Sequence, residues 1–225
     1  MLTSLYNFIL FNPYIVSLRL WLSLHRPIAD VFEIKNHEDV RLSYIYSLVY
    51  SGFCTTIAPY SFYLLVTQCN TVYLYLNTPN TLANLYYYMS LGYFSSDLIV
   101  GYQKYRRVLN KNYITSYVHH IIYILFFIYG NTNDKLNLYL LGVPFEIPIF
   151  LRSLEMVNPE LRQLYNTSYF FASLYFIFRI LYNILLIILA YQYGFTEYYV
   201  FLSLALLAHI TWIIKYVNKY IIIKI

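Results

Sequence analysis

The sequence predicts an all-α fold: a polytopic transmembrane helical bundle of about seven spans, each needing about 20 apolar residues. Three observations carry that expectation. Of 225 residues, 60% are hydrophobic, 21% are aromatic and only 11% are charged, and the mean hydropathy is +0.52. Soluble domains carry about 25% charged residues. The apolar residues also fall into runs of spanning length, and the basic residues collect in alternate connections between those runs. Such asymmetry orients membrane proteins, with the positive loops on the cytoplasmic side.

The runs come in order along the chain. Residues 4–24 form the first span, interrupted by Asn7, Asn12, Pro13 and Arg19. Residues 25–43 hold Arg26, Asp30, Glu33, Lys35, Glu38, Asp39 and Arg41 and read as an aqueous connection. Residues 44–66 form a second span without formal charge, and 67–80 read as a loop at the interface. The third span, 81–103, carries Asp97, and the fourth, 113–130, carries His119 and His120. After a turn at 131–135, the run 136–151 is short and holds Glu146 between Pro144 and Pro148. Each proline removes a backbone donor and breaks or kinks a helix. Such a segment persists in a membrane only where protein or a wet cavity satisfies the freed groups. Residues 152–166 read as a loop, 168–191 as a sixth span with Arg179 and Asn183 on one face, and 198–217 as a seventh with His209. Two units follow: 1–40, an N-terminal span with its charged connection, and 41–220, the membrane domain proper.

Orientation follows from the basic residues. Twelve of the 15 lie in the connections after spans one, three and five and in the tail, against Lys135 alone on the other side. The N-terminus is therefore expected outside or in a lumen and the C-terminus in the cytoplasm. The sequon at Asn166 then faces the cytoplasm and stays unglycosylated. The same segregation accounts for the net charge of +5, so nucleic acid is not an expected partner. Cys54 and Cys69 form neither a metal pattern nor a disulfide framework. The N-terminus lacks the features of a cleaved signal peptide, and no lipidation motif closes the chain. The 30 tyrosines accompany abundant Ile and Asn, all with A/T-rich codons, and read as coding bias on tolerant positions.

Asp97 and His119 each lie eleven residues from Val108, so an antiparallel hairpin brings acid and imidazoles to one depth. Glu146 and His209 fall at a similar level, roughly 7–11 Å from the cytoplasmic boundary at 1.5 Å per residue, with Arg179 deeper. Ionisable groups within spans mark functional sites by default. Each also has a plainer reading as a helix–helix hydrogen bond, the preferred one for His209. Neighbours on a helix point about 100° apart, so one imidazole can face a cavity while the other meets an adjacent helix. Arg179 either pairs with Glu146 or binds an anionic head group. A metal is not expected, because no His-x-x-x-His or Glu-x-x-His spacing stacks ligands on one face. Phosphate loops and hydrolase elbows are absent.

The order Ser96-Asp97-Leu98, a basic loop, His119-His120, Glu146 with Pro148, Asn166, Phe178-Arg179 and Thr211-Trp212-Ile213-Ile214-Lys215 resembles the TLC domain family. That family includes ceramide synthases and the TRAM translocon-associated protein. The resemblance covers roughly residues 41–220 and is closest to the small TLC-domain proteins. It implies six core spans around a lipid-sized cavity in the endoplasmic reticulum or another endomembrane, with membrane lipids as partners and no cofactor. Protein partners and oligomeric state are left open. With His119 and His120 as the pair the family uses, and Asp97 to fix the imidazole's tautomer, these three are the catalytic candidates. The shared depth of the titratable groups suggests a cavity open toward the cytoplasm, with Glu146, Arg179, Asn183 and His209 as its candidate lining. In ceramide synthases such a histidine pair serves acyl transfer from acyl-CoA to a sphingoid base. Those enzymes carry a second, His-Asp pair, whereas the next histidine here is His209 in another span. The first expectation is therefore lipid binding, sensing or trafficking. An acyl-CoA-dependent N-acyltransferase is the alternative, and a cargo receptor a third.

Overall fold

The computed structural model describes residues 12–35, 38–67, 81–111, 117–164 and 167–220. The protein is all-α, 90% helical, with no strand among the described residues. Helix α1 (Pro13–Val31) starts where Asn12 caps it, its Oδ1 accepting from the amides of Tyr14 at 3.0 Å and Ile15 at 3.3 Å. Proline at the first helical position costs no hydrogen bond there. The expected span 4–24 lies outside the described residues over its first part, and α1 continues past its expected end.

The connection predicted to be aqueous keeps Arg26, Asp30, Glu33 and Lys35 exposed but anchors itself to the core at four positions. His25, Ala29, Ile34 and Leu42 are buried. A short helix, α2 (Asp39–Ser43), is pinned by Arg41, which donates to the carbonyls of Val157 at 2.8 Å and Phe32 at 3.1 Å. Sequence charge pointed to water. The charged side chains of 26–35 do stay exposed, while Ala29 and Ile34 between them pack inward.

Helices α3 (Ile45–Thr67), α4 (Thr81–Lys104) and α6 (Tyr117–Thr132) complete the first layer around Trp21, Tyr46, Tyr50, Tyr86, Phe94 and Phe127. Between α4 and α6 lies α5 (Arg106–Lys111), so the basic loop carries a helical turn. Trp21 Nε1 donates to the Met89 carbonyl at 2.9 Å, locking α1 against α4. Gly92 permits that approach: a β-carbon there would sit 2.2 Å from Ser17 Oγ. The loop expected over 67–80 lies outside the described residues apart from Thr67, as do Asn166 and residues 113–116 of the fourth span.

The run with two prolines is broken into α7 (Leu136–Leu140), a 3-10 turn (Val143–Glu146) and α8 (Ile147–Val157). Its freed carbonyls are met by side chains from other helices. Leu140 accepts from Ser61 at 2.8 Å, Leu141 from Tyr182 at 2.8 Å, Leu138 from Tyr198 at 2.9 Å and Phe145 from Arg179 at 2.6 Å. Protein supplies the donors that the prolines made necessary. The loop expected from 152 is instead helical to Val157, followed by α9 (Pro159–Leu164). Glu155, 2% exposed, accounts for part of this, pairing with Arg152 at 3.1 Å.

The last layer is α10 (Thr167–Tyr175), a π-helical turn (Phe176–Leu181), α11 (Tyr182–Gln192) and α12 (Thr196–Tyr220). Gly194, at φ 71°, ends α11 in the left-handed conformation that glycine adopts without strain. Two helical stretches are long and apolar enough to cross a membrane, Tyr169–Gln192 and Thr196–Asn218, and only 33% and 17% of their apolar windows are buried. Such exposure distinguishes them from core helices of a soluble protein. The seven expected spans are not all of this kind among the described residues. Tyrosine, serine and threonine lower the hydropathy of α3 and α4, and α6 is 16 residues long.

Candidate functional site

The α4–α6 hairpin brings acid and imidazole together. His120 Nδ1 lies 3.3 Å from Asp97 Oδ2, with both side chains buried. The helix spacing explains which histidine meets the acid: His119, about 100° round the axis, points elsewhere. The contact falls off the line a hydrogen bond needs, leaving Nδ1 without a hydrogen-bonding partner. The other carboxylate oxygen accepts a hydrogen bond from Tyr105, which sits at the break between α4 and α5. Phe94 packs against His120 at 5.2 Å and Tyr93 at 5.8 Å, and Tyr93 in turn bonds Ser47 at 3.2 Å.

A second cluster forms around Arg179. The π-helical turn places its guanidinium against the broken segment, where Nη2 donates to Glu146 Oε1 at 2.9 Å and Nε to the Phe145 carbonyl. Of the two readings open for Arg179, the pair with Glu146 is the one formed. Arg179 Nη1 is 3.5 Å from His209 Nε2, and His209 Nδ1 is 3.0 Å from the Tyr175 hydroxyl. Arginine can only donate, so Nε2 accepts and the neutral ring carries its proton on Nδ1, donating to Tyr175. The two roles weighed for His209, structure and function, thus meet in one cluster.

His119 belongs with the first group, its ring 5.5 Å from that of His120. It is half-buried beside Tyr123 at 4.5 Å and Phe94 at 6.4 Å, within electrostatic reach of Arg179. Tyr123 and His209 lie within the same reach. The polar layer is thus made of two clusters, Tyr105–Asp97–His120 with His119 beside it, and Glu146–Arg179–His209–Tyr175. Asn183 stands apart from it: fully buried, it donates from Nδ2 to the Leu202 carbonyl of α12 at 3.4 Å. That contact fastens α11 to α12.

Chemically, the layer offers a carboxylate beside an imidazole, a second imidazole next to a guanidinium, and tyrosine hydroxyls on either flank. Such groups can move protons or hold an anionic or polar head. Among the described residues no cluster of three or more His, Cys, Asp or Glu side chains is placed to hold a metal ion. Three participants were not singled out from the sequence: Tyr105, Tyr175 and His25. The two tyrosines carry no mark among thirty. His25 had one, as one of only five histidines and the residue directly after a predicted span.

Comparisons with protein-family models, with curated proteins and with solved structures return no match for this chain.

Proposed function

We propose that the protein is a multi-pass membrane protein of TLC type that binds lipid at the polar layer, for lipid homeostasis, sensing or trafficking. The carrying observation is the layer itself: two buried clusters of ionisable groups, one from α4 and α6 and one from the 3-10 turn, the π turn and α12, inside the helical bundle. Ionisable groups at such a depth are costly, and function is the usual reason they are kept. A lipid head would sit against His119, with its chains along the apolar faces of α6 and α12. Ile121, Ile122, Leu125 and Ile128 of α6, and Leu204 and Leu207 of α12, are exposed and suit hydrocarbon rather than water. The segregation of basic residues supports seven spans, an external or lumenal N-terminus and a cytoplasmic C-terminus. The endoplasmic reticulum, or another endomembrane, follows from the family resemblance.

The test is mass spectrometry of lipid retained by the purified protein. Wild type should retain a defined lipid, and the His119→Ala/His120→Ala variant should retain less. A folded wild type that retains none would overturn the proposal.

The 3.3 Å approach of Asp97 to His120 favours a second reading, acyl transfer from acyl-CoA to a sphingoid base. An imidazole would take the amine proton as nitrogen attacks the thioester carbon, the C–S bond would break, and CoA would leave as the thiol after accepting a proton. Labelled acyl-CoA with sphingoid bases decides this: turnover lost in the double variant supports the enzyme, and no turnover with bound lipid supports the carrier.

A further inference from the structure

Unsatisfied polar atoms are rare in protein interiors, because more than nine in ten buried polar groups find a partner. Here several gather on one side of Asp97. His25, 2% exposed, has the Leu42 backbone carbonyl as the one neighbour its ring can reach, in a geometry too poor for a full hydrogen bond, and the hydroxyl of Tyr46, 0% exposed, has no partner. The two rings meet at 5.1 Å, nearly perpendicular. His25 also lies 6.4 Å from the ring of Tyr105, whose hydroxyl holds Asp97. The charge of Asp97 reaches Tyr46. His120 Nδ1, on the far side of Asp97, is likewise without a hydrogen bond. Residues from α1, α3, α4 and α6 and from the α4–α5 junction thus bring polar side chains close to one another around Asp97.

We propose that His25, Tyr46, Tyr105, Asp97 and His120 enclose a small chamber of buried water beside the histidine pair, on its cytoplasmic side. Dry apolar cavities stay empty, but a site with several polar partners holds water, each molecule typically making about three hydrogen bonds. The groups present suit that role. Burial first, and then the charge of Lys104, hold the His25 imidazole down at about 4. The ring is therefore neutral near pH 7, with one nitrogen turned to the Leu42 carbonyl and the other left to accept from water. Tyr46 can donate and accept, and Asp97 accepts. The water would join the Lys104 end of α4 to His120 and supply the protons that an imidazole beside a carboxylate exchanges. The inference rests on His119-His120 as the working groups, and gives them a solvent connection that their apolar surroundings lack.

Hydroxyl-radical footprinting, which oxidises side chains in contact with bound water, tests this on the full-length purified protein. Corrected for intrinsic reactivity, Tyr46 and His25 should be labelled several-fold faster than Phe127, which is equally buried among apolar rings. His25→Phe should bring Tyr46 down to the Phe127 rate. Independently, Tyr46→Phe removes a hydroxyl. If water satisfies that hydroxyl, the melting temperature falls by about 2–4 °C. If the hydroxyl is dry, its removal leaves stability unchanged or raised. Labelling of Tyr46 no faster than Phe127, or an unchanged or higher melting temperature in Tyr46→Phe, would overturn the chamber. Retained lipid, measured on the same preparations, separates the two ideas. Lipid with a dry chamber removes only this inference. A labelled chamber without lipid removes only the lipid reading.

Discussion

Replacing Arg179 by Met tests how the broken segment and the polar layer depend on one another. The guanidinium is 6% exposed and donates to the Phe145 carbonyl at 2.6 Å and to Glu146 at 2.9 Å. Methionine fills much of the same volume but leaves a carboxylate and a carbonyl without their donor. Removing one partner of a buried pair costs about 3–5 kcal/mol. For a chain of this size each kcal/mol moves the melting temperature by about 2–4 °C, so a fall of roughly 6–20 °C is expected. The Cys54 thiol, fully buried in the core, provides the assay: a thiol-reactive dye reports its exposure on heating, in a Cys69→Ser background. Arg179→Lys keeps the charge but not the planar fork that serves two acceptors, and should fall between wild type and Arg179→Met. Adding Glu146→Leu to Arg179→Met removes the stranded carboxylate and should restore part of the loss, since apolar replacement of a whole buried pair is often neutral. A cost under about 1 kcal/mol for Arg179→Met, the level of an exposed pair, with no recovery in the double variant, would refute the reasoning.

Three further outcomes are expected. Gly92→Ala puts a β-carbon 2.2 Å from Ser17 Oγ and 2.7 Å from Trp21 Cδ1, so α1 must move off α4 at a cost of about 1–3 kcal/mol. The same thiol melt, with quenching of Trp21 fluorescence by a soluble quencher, reads both effects. Tyr182→Phe leaves the Leu141 carbonyl unmet and should cost about 1–3 kcal/mol in the melt, whereas Tyr198→Phe leaves Leu138 still accepting from the Leu141 amide at 3.2 Å and should cost only about 0.5–1.5 kcal/mol. His25, whose pKa is lowered from 6.5 to about 4 by burial and then by Lys104, binds its proton more weakly folded than unfolded. Its contribution to stability is therefore flat above pH 6.5 and is lost as pH falls from 6.5 toward 4. Melts across that range should show a smaller acid loss in His25→Phe than in wild type.

Much of the fold was legible because its strongest signals are local. Apolar runs separated by turn residues marked the long helices, and two prolines four apart marked the break in the fifth. The hairpin followed from counting outward from Val108, and it joined Asp97 to His120. What remained hidden depends on packing between distant residues. Charges over 25–43 outweighed the few apolar positions that anchor the segment to the core. The end of α8 depended on Arg41, more than a hundred residues away, supplying donors to Val157. At the site, the polar side chains within spans could be named, but not their partners. Whether Arg179 meets Glu146 turns on a local π turn that no periodicity announces, and tyrosines that complete the layer look like all the others.

The most direct test of a lipid site at the polar layer is photocrosslinking in the membrane. A photoactivatable, clickable fatty acid, incorporated into cellular lipids, should mark residues around His119, Tyr123 and the π turn, with less labelling there in His119→Ala/His120→Ala. Adducts spread evenly over the exposed faces of α11 and α12, unchanged in that variant, would contradict the account.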